Sequence, residues 1–280
     1  MSPMRWQLLI PKMDILNSGM PPAARNGWIV ALVLCAVGGV LFAGEARRQV
    51  FAARAGAEYR RAEAQFKSNT NDSAAAWQLA RACFAFNDFA TNNARRAELA
   101  SQGIAACRQL LARESNSAPG HYYLAIELGQ LADTKRNLAA FKLVREIERE
   151  FKAADDLDEH FDHAGPARCL GLLYRDAPTW PASIGSRHKA REWLEQAVKV
   201  APDYPDNRLN LAESYWQWKE REAASNELKR LDALWPSART NFTGEAWERS
   251  WDSWTNRREA VREKLGEAGP PAKTSSNPQN

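Results

Sequence analysis

Two prolines thirty-four residues apart, Pro202 and Pro236, each close a run whose apolar residues keep identical offsets. Ala224, Leu228 and Leu231 precede Pro236 as Ala190, Leu194 and Ala197 precede Pro202. Ahead of these stand Leu211, Ala212 and Tyr215 in one unit and Leu170, Gly171 and Tyr174 in the other. Apolar residues three and four apart line one side of a helix. A small residue lets two helices cross closely, and a proline ends the second of them. A helical pair this short cannot bury its apolar side alone and must stack on further pairs. The chain is therefore constrained to an all-α fold of stacked antiparallel helical hairpins. The earlier unit carries about seven extra residues in its turn, within DAPTWPASIGSRHK (176–189).

The period and its residues resemble the tetratricopeptide repeat, and Pro205–Pro236 matches that pattern without a gap. The resemblance implies an α-solenoid. Fainter copies lie upstream. Trp77, Ala80 and Phe84 mark a first repeat helix over Ala74–Phe89, with Leu99, Ile104, Cys107, Leu110 and Leu111 in its partner, Ala94–Arg113. SNSAP (115–119) breaks the pattern before His121–Leu131. Asn137–Ala153 then places Leu138, Phe141, Val144, Ile147 and Phe151 on one face. Beyond Pro236, Thr243 is placed to cap a last helix carrying Trp247, Trp251, Trp254, Val261 and Leu265 on one side. Such a helix would cover the open end of a stack; a tryptophan-lined ligand site is the alternative.

Residues 1–25 form a short proline-broken tail, and 26–44 (NGWIVALVLCAVGGVLFAG) hold no charge at all. Nineteen residues rise about 28 Å as a helix, close to the hydrocarbon thickness of a bilayer. We expect an N-terminal transmembrane helix and single-pass membrane anchor. A cleaved signal peptide fits less well, because cleavage after Ala43 leaves Leu41 where a small residue belongs. A buried core helix would seldom lack polar residues altogether. Glu45–Lys67 continues as a helix with an apolar stripe, and SNTNDS (68–73) is a capping turn in which Asp72 or Ser73 starts the next helix. The helical repeat domain is expected over 45–265, and 266–280 reads as a disordered tail by composition. Five arginines soon after the apolar run (Arg47, Arg48, Arg54, Arg60, Arg61), against Arg5, Lys12 and Arg25 before it, lean toward a cytoplasmic repeat domain by the positive-inside rule, but several belong to a helix interleaved with Glu45, Glu58 and Glu63, which weakens that argument.

Net charge is +4, but 34 acidic residues are mixed among 38 basic ones, so no nucleic-acid face is expected. Cys35, Cys83, Cys107 and Cys169 show no paired spacing. His160 and His163 in DDLDEHFDH (155–163) lie one helical turn apart among carboxylates, yet nothing supplies a third ligand; a solvated acidic turn explains them, and no metal is expected. No nucleophile elbow, zinc-protease helix, P-loop or dinucleotide fingerprint occurs, so neither an enzyme nor a cofactor is expected.

The segment 165–215 is similar to the T-component proteins of TRAP transporters. The resemblance is carried by Gly165-Pro166, Arg168, Leu170-Gly171, Tyr174, the insert residues Ala177-Pro178, Trp180-Pro181, Ser183 and Gly185, then Lys189-Ala190, Pro205 and Asn207. It implies a protein partner, the extracytoplasmic solute-binding protein of the transporter, and a periplasmic repeat domain at a membrane. The chain departs from that family in having a long apolar segment where a lipobox is expected. The microtubule-associated regulator proteins of eukaryotes carry a similar helical repeat behind a membrane anchor, which leaves a general repeat adaptor as the alternative; homo-oligomers are left open. In tetratricopeptide repeats the first helix of each hairpin lines a concave face. The resemblance thus implies a partner groove of Leu209, Glu213 and Trp216, of Arg168, Leu172 and Arg175, and of Tyr123 and Glu127. The alternative is that Arg168 bonds carbonyls or acids in the insert and that Trp216 packs on the next hairpin.

Overall fold

The computed structural model describes residues 27–135, 138–179 and 182–267, with the backbone alone at 27–43 and 138–142. Among the described residues all regular structure is helical, apart from one isolated bridge between Thr179 and Gly185. The helices fall into two compact units, one of residues up to Phe161 with 176–185, the other of 162–175 with those from Ser186 onward.

The first unit holds α1 (Gly27–Ser68), α2 (Ser73–Asn87), α3 (Asn93–Leu111), α4 (Ala118–Thr134) and α5 (Leu138–Leu157). Short polar side chains start three of them by accepting a hydrogen bond from an otherwise orphaned amide. Asp72 accepts from the Ala75 N–H (3.1 Å), Asn92 from Arg95 (2.9 Å) and Ser117 from Gly120 (3.2 Å). Each helix packs on the next in the chain, and α2 also reaches α4. That last contact, between the first helices of successive hairpins, is what stacked repeats require. Of the apolar positions read from the sequence, Ala80, Leu99, Ile104, Cys107, Leu110, Val144, Ile147 and Phe151 are buried and Trp77, Phe84 and Leu111 half-buried, and Tyr59 of α1 closes one end against Leu79, Cys83 and Phe86.

The second unit holds α6 (Gly165–Asp176), α7 (Arg187–Val200), α8 (Pro205–Gln217), α9 (Arg221–Asn241), a 3-10 turn (Glu245–Trp247) and α10 (Glu248–Leu265). Gly171 sits where α6 crosses α7; a Cβ there would lie 2.6 Å from Leu194 Cγ, so only glycine permits this approach. Ala190, Leu194, Ala197, Leu211, Ala212, Ala224, Leu228 and Leu231 are all buried, at the offsets the repeat demands. Helix α10 lies on α8 and α9, burying Trp251, Trp254, Val261 and Leu265, which covers the stack end as expected.

Two local expectations are corrected. Pro236 does not end its helix, because α9 runs on to Asn241. A mid-helix proline loses a hydrogen bond and crowds the carbonyl four residues back, at a cost of about 3 kcal/mol. The turns around it are held by tertiary packing: Trp235 meets Trp251 edge-on at 5.1 Å, and Ala238 and Phe242 are buried. Thr243 caps nothing, since a 3-10 turn begins after Gly244 and α10 starts only at Glu248.

The tail 1–25, insert residues Trp180 and Pro181, and the tail beyond Glu267 lie outside the described residues. The anchor expected over 26–44 falls where no side chain is described. Among the described residues no helix is long and apolar enough to cross a membrane.

Candidate partner-binding surfaces

In the first unit the expected groove positions are Tyr123 and Glu127 on α4. The Tyr123 ring stacks on Trp77 of α2, with centroids 5.9 Å apart and planes 7° apart. Tyr122 and Phe161 meet it edge-on at 5.1 and 6.2 Å. Tyr122 and Tyr123 are buried, whereas Trp77 and Phe161 keep part of their surface in solvent. The two helices that stacking brings together thus build an aromatic patch with an accessible rim.

Glu127, one turn further along α4, is fully buried. Its carboxyl lies against Gly103 of α3, where a Cβ would come within 2.7 Å of Glu127 Cγ. Neither oxygen makes a hydrogen bond of good geometry. The nearest relief is the backbone of Phe84, already committed within α2. Burial holds this carboxyl well above the usual carboxylate range, and it is the neutral acid that the fold accommodates. Cys83 and Cys107 share the pocket; burial first, and Glu127 second, push both thiols up. Glu127 therefore belongs to the interior and presents nothing to a partner.

The second unit gives Arg168 a different task from the one its repeat position suggests. Asp162, His163 and Ala164 are three successive non-glycine residues at φ 49°, 56° and 60°. Each left-handed L-residue costs roughly 1–2 kcal/mol, so the turn needs support. Arg168 donates to the backbone oxygens of Asp162 (3.3 Å) and His163 (3.2 Å), to the Asp162 carboxylate (2.9 Å) and to Asn207 Oδ1 (3.0 Å). The amide of Asn207 in turn donates to the oxygens of His163, Ala197 and Ala201 at 3.0–3.2 Å. Tyr204 covers the guanidinium, 5.2 Å from its ring centroid. His163 completes the cluster by stacking on Tyr204 at 4.4 Å and meeting Phe242 and Trp247 edge-on. Burial draws the imidazole pKa down, Asp162 opposes this, and Arg168 adds to it.

Leu172 and Leu209 are core residues. Arg175 bonds Ser214 Oγ at 3.0 Å, tying α6 to α8. Glu213 accepts from Arg257 of α10 at 2.8 and 2.6 Å. The same guanidinium reaches Asn210 Oδ1 (2.7 Å) and Asp206, so three polar positions at helical spacing on α8 converge on one cation. Burial disfavours its charge, but Glu213 and Asp206 together outweigh that and raise its pKa. Helix α10 thereby covers the face of α8 that holds Glu213. Trp216 stays half-buried beneath Arg221, 5.2 Å from its ring centroid.

Of the eight expected groove residues, accessible surface remains on Arg175, Glu213 and Trp216. Sequence reasoning missed Arg257 because its partners lie 44–51 positions upstream. The signal was the stripe Asp206, Asn210, Glu213 on a helix with no lysine or arginine at matching positions. Among the described residues no three His, Cys, Asp or Glu side chains converge as metal ligands.

Stacked helical hairpins with a small residue at the crossing define the tetratricopeptide-like class of repeat folds. A crystal structure of TTC0263, a thermophilic TPR protein of Thermus thermophilus, shares this fold, with TM-score 0.56, 20% identity, and 76% of this chain and 93% of that one covered. A crystal structure of MamA is more distant, with TM-score 0.43, 16% identity, and coverage of 64% and 87%. A family model described as regulator of microtubule dynamics protein 1-3 matches residues 47–163. This is less than half of the chain, and it takes in the C-terminal half of α1 and all of α2 to α5. No curated protein matches the sequence.

Proposed function

We propose that this chain is a membrane-anchored helical-repeat scaffold that binds a protein partner, with the uncharged run 26–44 as its anchor. The observation that carries the reading is the Trp77–Tyr123 stack between first helices of adjacent hairpins, whose rim at Trp77 and at Phe161 in the turn after α5 stays accessible. Tryptophan and tyrosine in partly desolvated positions dominate protein–protein binding energies, and a rigid stacked pair offers area at little entropic cost. The partner we propose is a folded extracytoplasmic protein, the solute-binding protein of a TRAP-type transporter, with the repeat domain periplasmic. Support for this comes from the likeness of 165–215 to T-component proteins. The family match on 47–163 favours a second reading, a repeat adaptor assembling another membrane-associated complex.

The test is a photocrosslinking amino acid placed at position 77, and separately at 216, of the full chain in its own membranes. A solute-binding protein captured at either position supports the transporter reading, and a different, single membrane-associated protein supports the adaptor. Absence of any captured protein at both positions overturns the scaffold. A periplasm-dependent reporter fused after Leu265 decides orientation: activity supports export, silence reverses it.

A further inference from the structure

The aromatic rim of the first unit is bordered unevenly by charge. Phe161 ends a tight turn in which its N–H donates to the Asp158 backbone oxygen at 3.2 Å, so the two Cα atoms lie within about 7 Å of each other. That turn presents Leu157, Asp158 and Glu159 to solvent, and Leu157 keeps 44% of its surface. The Asp158 carboxylate accepts from the His160 N–H at 3.0 Å. Glu159 lies 3.8 Å from the His160 ring with 53% of its side chain exposed. Among the described residues neither carboxylate pairs with a lysine or arginine. The nearest cations along α5 are already held, Arg149 by Glu150 at 2.8 Å and Lys152 by Glu148 at 2.6 Å. On the opposite border, within one turn of Trp77, α2 offers only the exposed Arg81.

We propose that this surface takes a basic segment of its protein partner, with lysines or arginines beside an apolar anchor and lying on the side of the turn after α5. The proposal rests on the rim being the binding surface and names the chemistry of what it binds. An apolar anchor suits the half-buried rings of Trp77 and Phe161, where truncation of an aromatic residue is most costly to binding. Charges at the border of such a contact steer the partner and choose between partners. A basic segment gains Asp158 and Glu159 and finds in the Phe161 and Trp77 rings faces that attract cations. An acidic segment would set like charges against both carboxylates and gain Arg81 alone.

The experiment places a photocrosslinking amino acid at position 74 of the full chain in its own membranes. This position is exposed and one turn before Trp77 on the same face, so the rings of the rim stay in place. The captured partner is digested, and the linked segment is sequenced by mass spectrometry. It should hold an excess of lysine and arginine over acids. The initial rate of capture should fall about fivefold in the double variant Asp158→Asn, Glu159→Gln, and should hold or rise in Arg81→Gln. Asparagine at 158 still accepts from the His160 N–H, so the turn persists, and an unchanged far-UV spectrum checks the fold. An acidic or neutral linked segment overturns the basic partner while leaving the rim as the binding surface. So does capture that ignores the double variant, or that is lost in Arg81→Gln. No capture at position 74 overturns the rim as a binding surface and this inference with it.

Discussion

Replacing Glu127 with glutamine keeps the shape of the side chain and removes its titration, which isolates one contribution to the stability of the first unit. In the fold this carboxyl is fully buried, pressed on Gly103 and without a good hydrogen bond, so burial raises its pKa well above the ordinary 4.5. In the unfolded chain it ionises near that ordinary value. A group whose folded pKa is raised contributes its stability in full below the unfolded pKa and loses it as pH climbs toward the folded one. From about pH 4.5 upward folding must therefore take up one proton, and at full slope stability falls by about 1.4 kcal/mol per pH unit. The Cys83 and Cys107 thiols facing it are pushed up from an already high value and stay neutral over this range. The assay is urea unfolding of wild type and Glu127→Gln at pH 5, 6 and 7, followed by far-UV circular dichroism. The variant should gain on wild type as the pH rises, by at most about 1.4 kcal/mol for each unit. Curves that stay parallel across the three pH values would refute the reasoning, even if the variant differed by a constant amount.

Arg168→Ala should destabilise the second unit by about 2–4 kcal/mol through the loss of several charge-assisted bonds, read as a lower melting temperature. Arg168→Lys should recover little of that, because an ammonium cannot match the planar fork. His163 has a depressed folded pKa, so its contribution is present above the unfolded pKa near 6.5 and is lost as pH falls through the folded value. Tryptophan fluorescence should shift on acidification in wild type and hold steady in His163→Phe. Arg257→Ala strands Glu213 beneath α10, while Asp206 keeps Arg168 at 3.5 Å, and should expose that helix to limited proteolysis at a rate several times that of wild type. Trp77→Ala should weaken partner binding by ~2 kcal/mol, roughly thirtyfold, with the helical spectrum preserved; unaltered affinity would remove the aromatic rim from the binding surface.

The repeat was legible because it rests on local rules. Offsets of three and four place Leu228 and Leu231 on the buried side of α9 whatever else the chain does, and Gly171 announces a close crossing by having no side chain. What escaped the sequence depends on contacts between distant positions. Pro236 has the marks of a terminator, and only Trp251 and its neighbours, packed from the following helix, explain why α9 continues. Repeat register could place Arg168, Glu127 and Glu213 on first helices of hairpins, but not say what lay across from them. One lies over a left-handed turn, one in a glycine-lined recess, and one beneath an arginine 44 residues downstream. Trp77 has the spacing of a core position; its stack on Tyr123, with a rim left in solvent, follows from α2 meeting α4.

The turn at Asp162–Ala164 also has a consequence for how the chain is made. Its conformation is secured by Arg168 and by Asn207, the latter 39 residues beyond Arg168. At the usual pace of synthesis, about 5–20 residues per second, that interval lasts roughly 2–8 s. Helices α2–α5 meet their neighbours within the first 157 residues and can settle as they emerge. The left-handed turn cannot, because its second guarantor has not yet been translated. During those seconds the bend has Arg168 alone to hold it, and the order of synthesis makes α8 the element whose arrival completes its support.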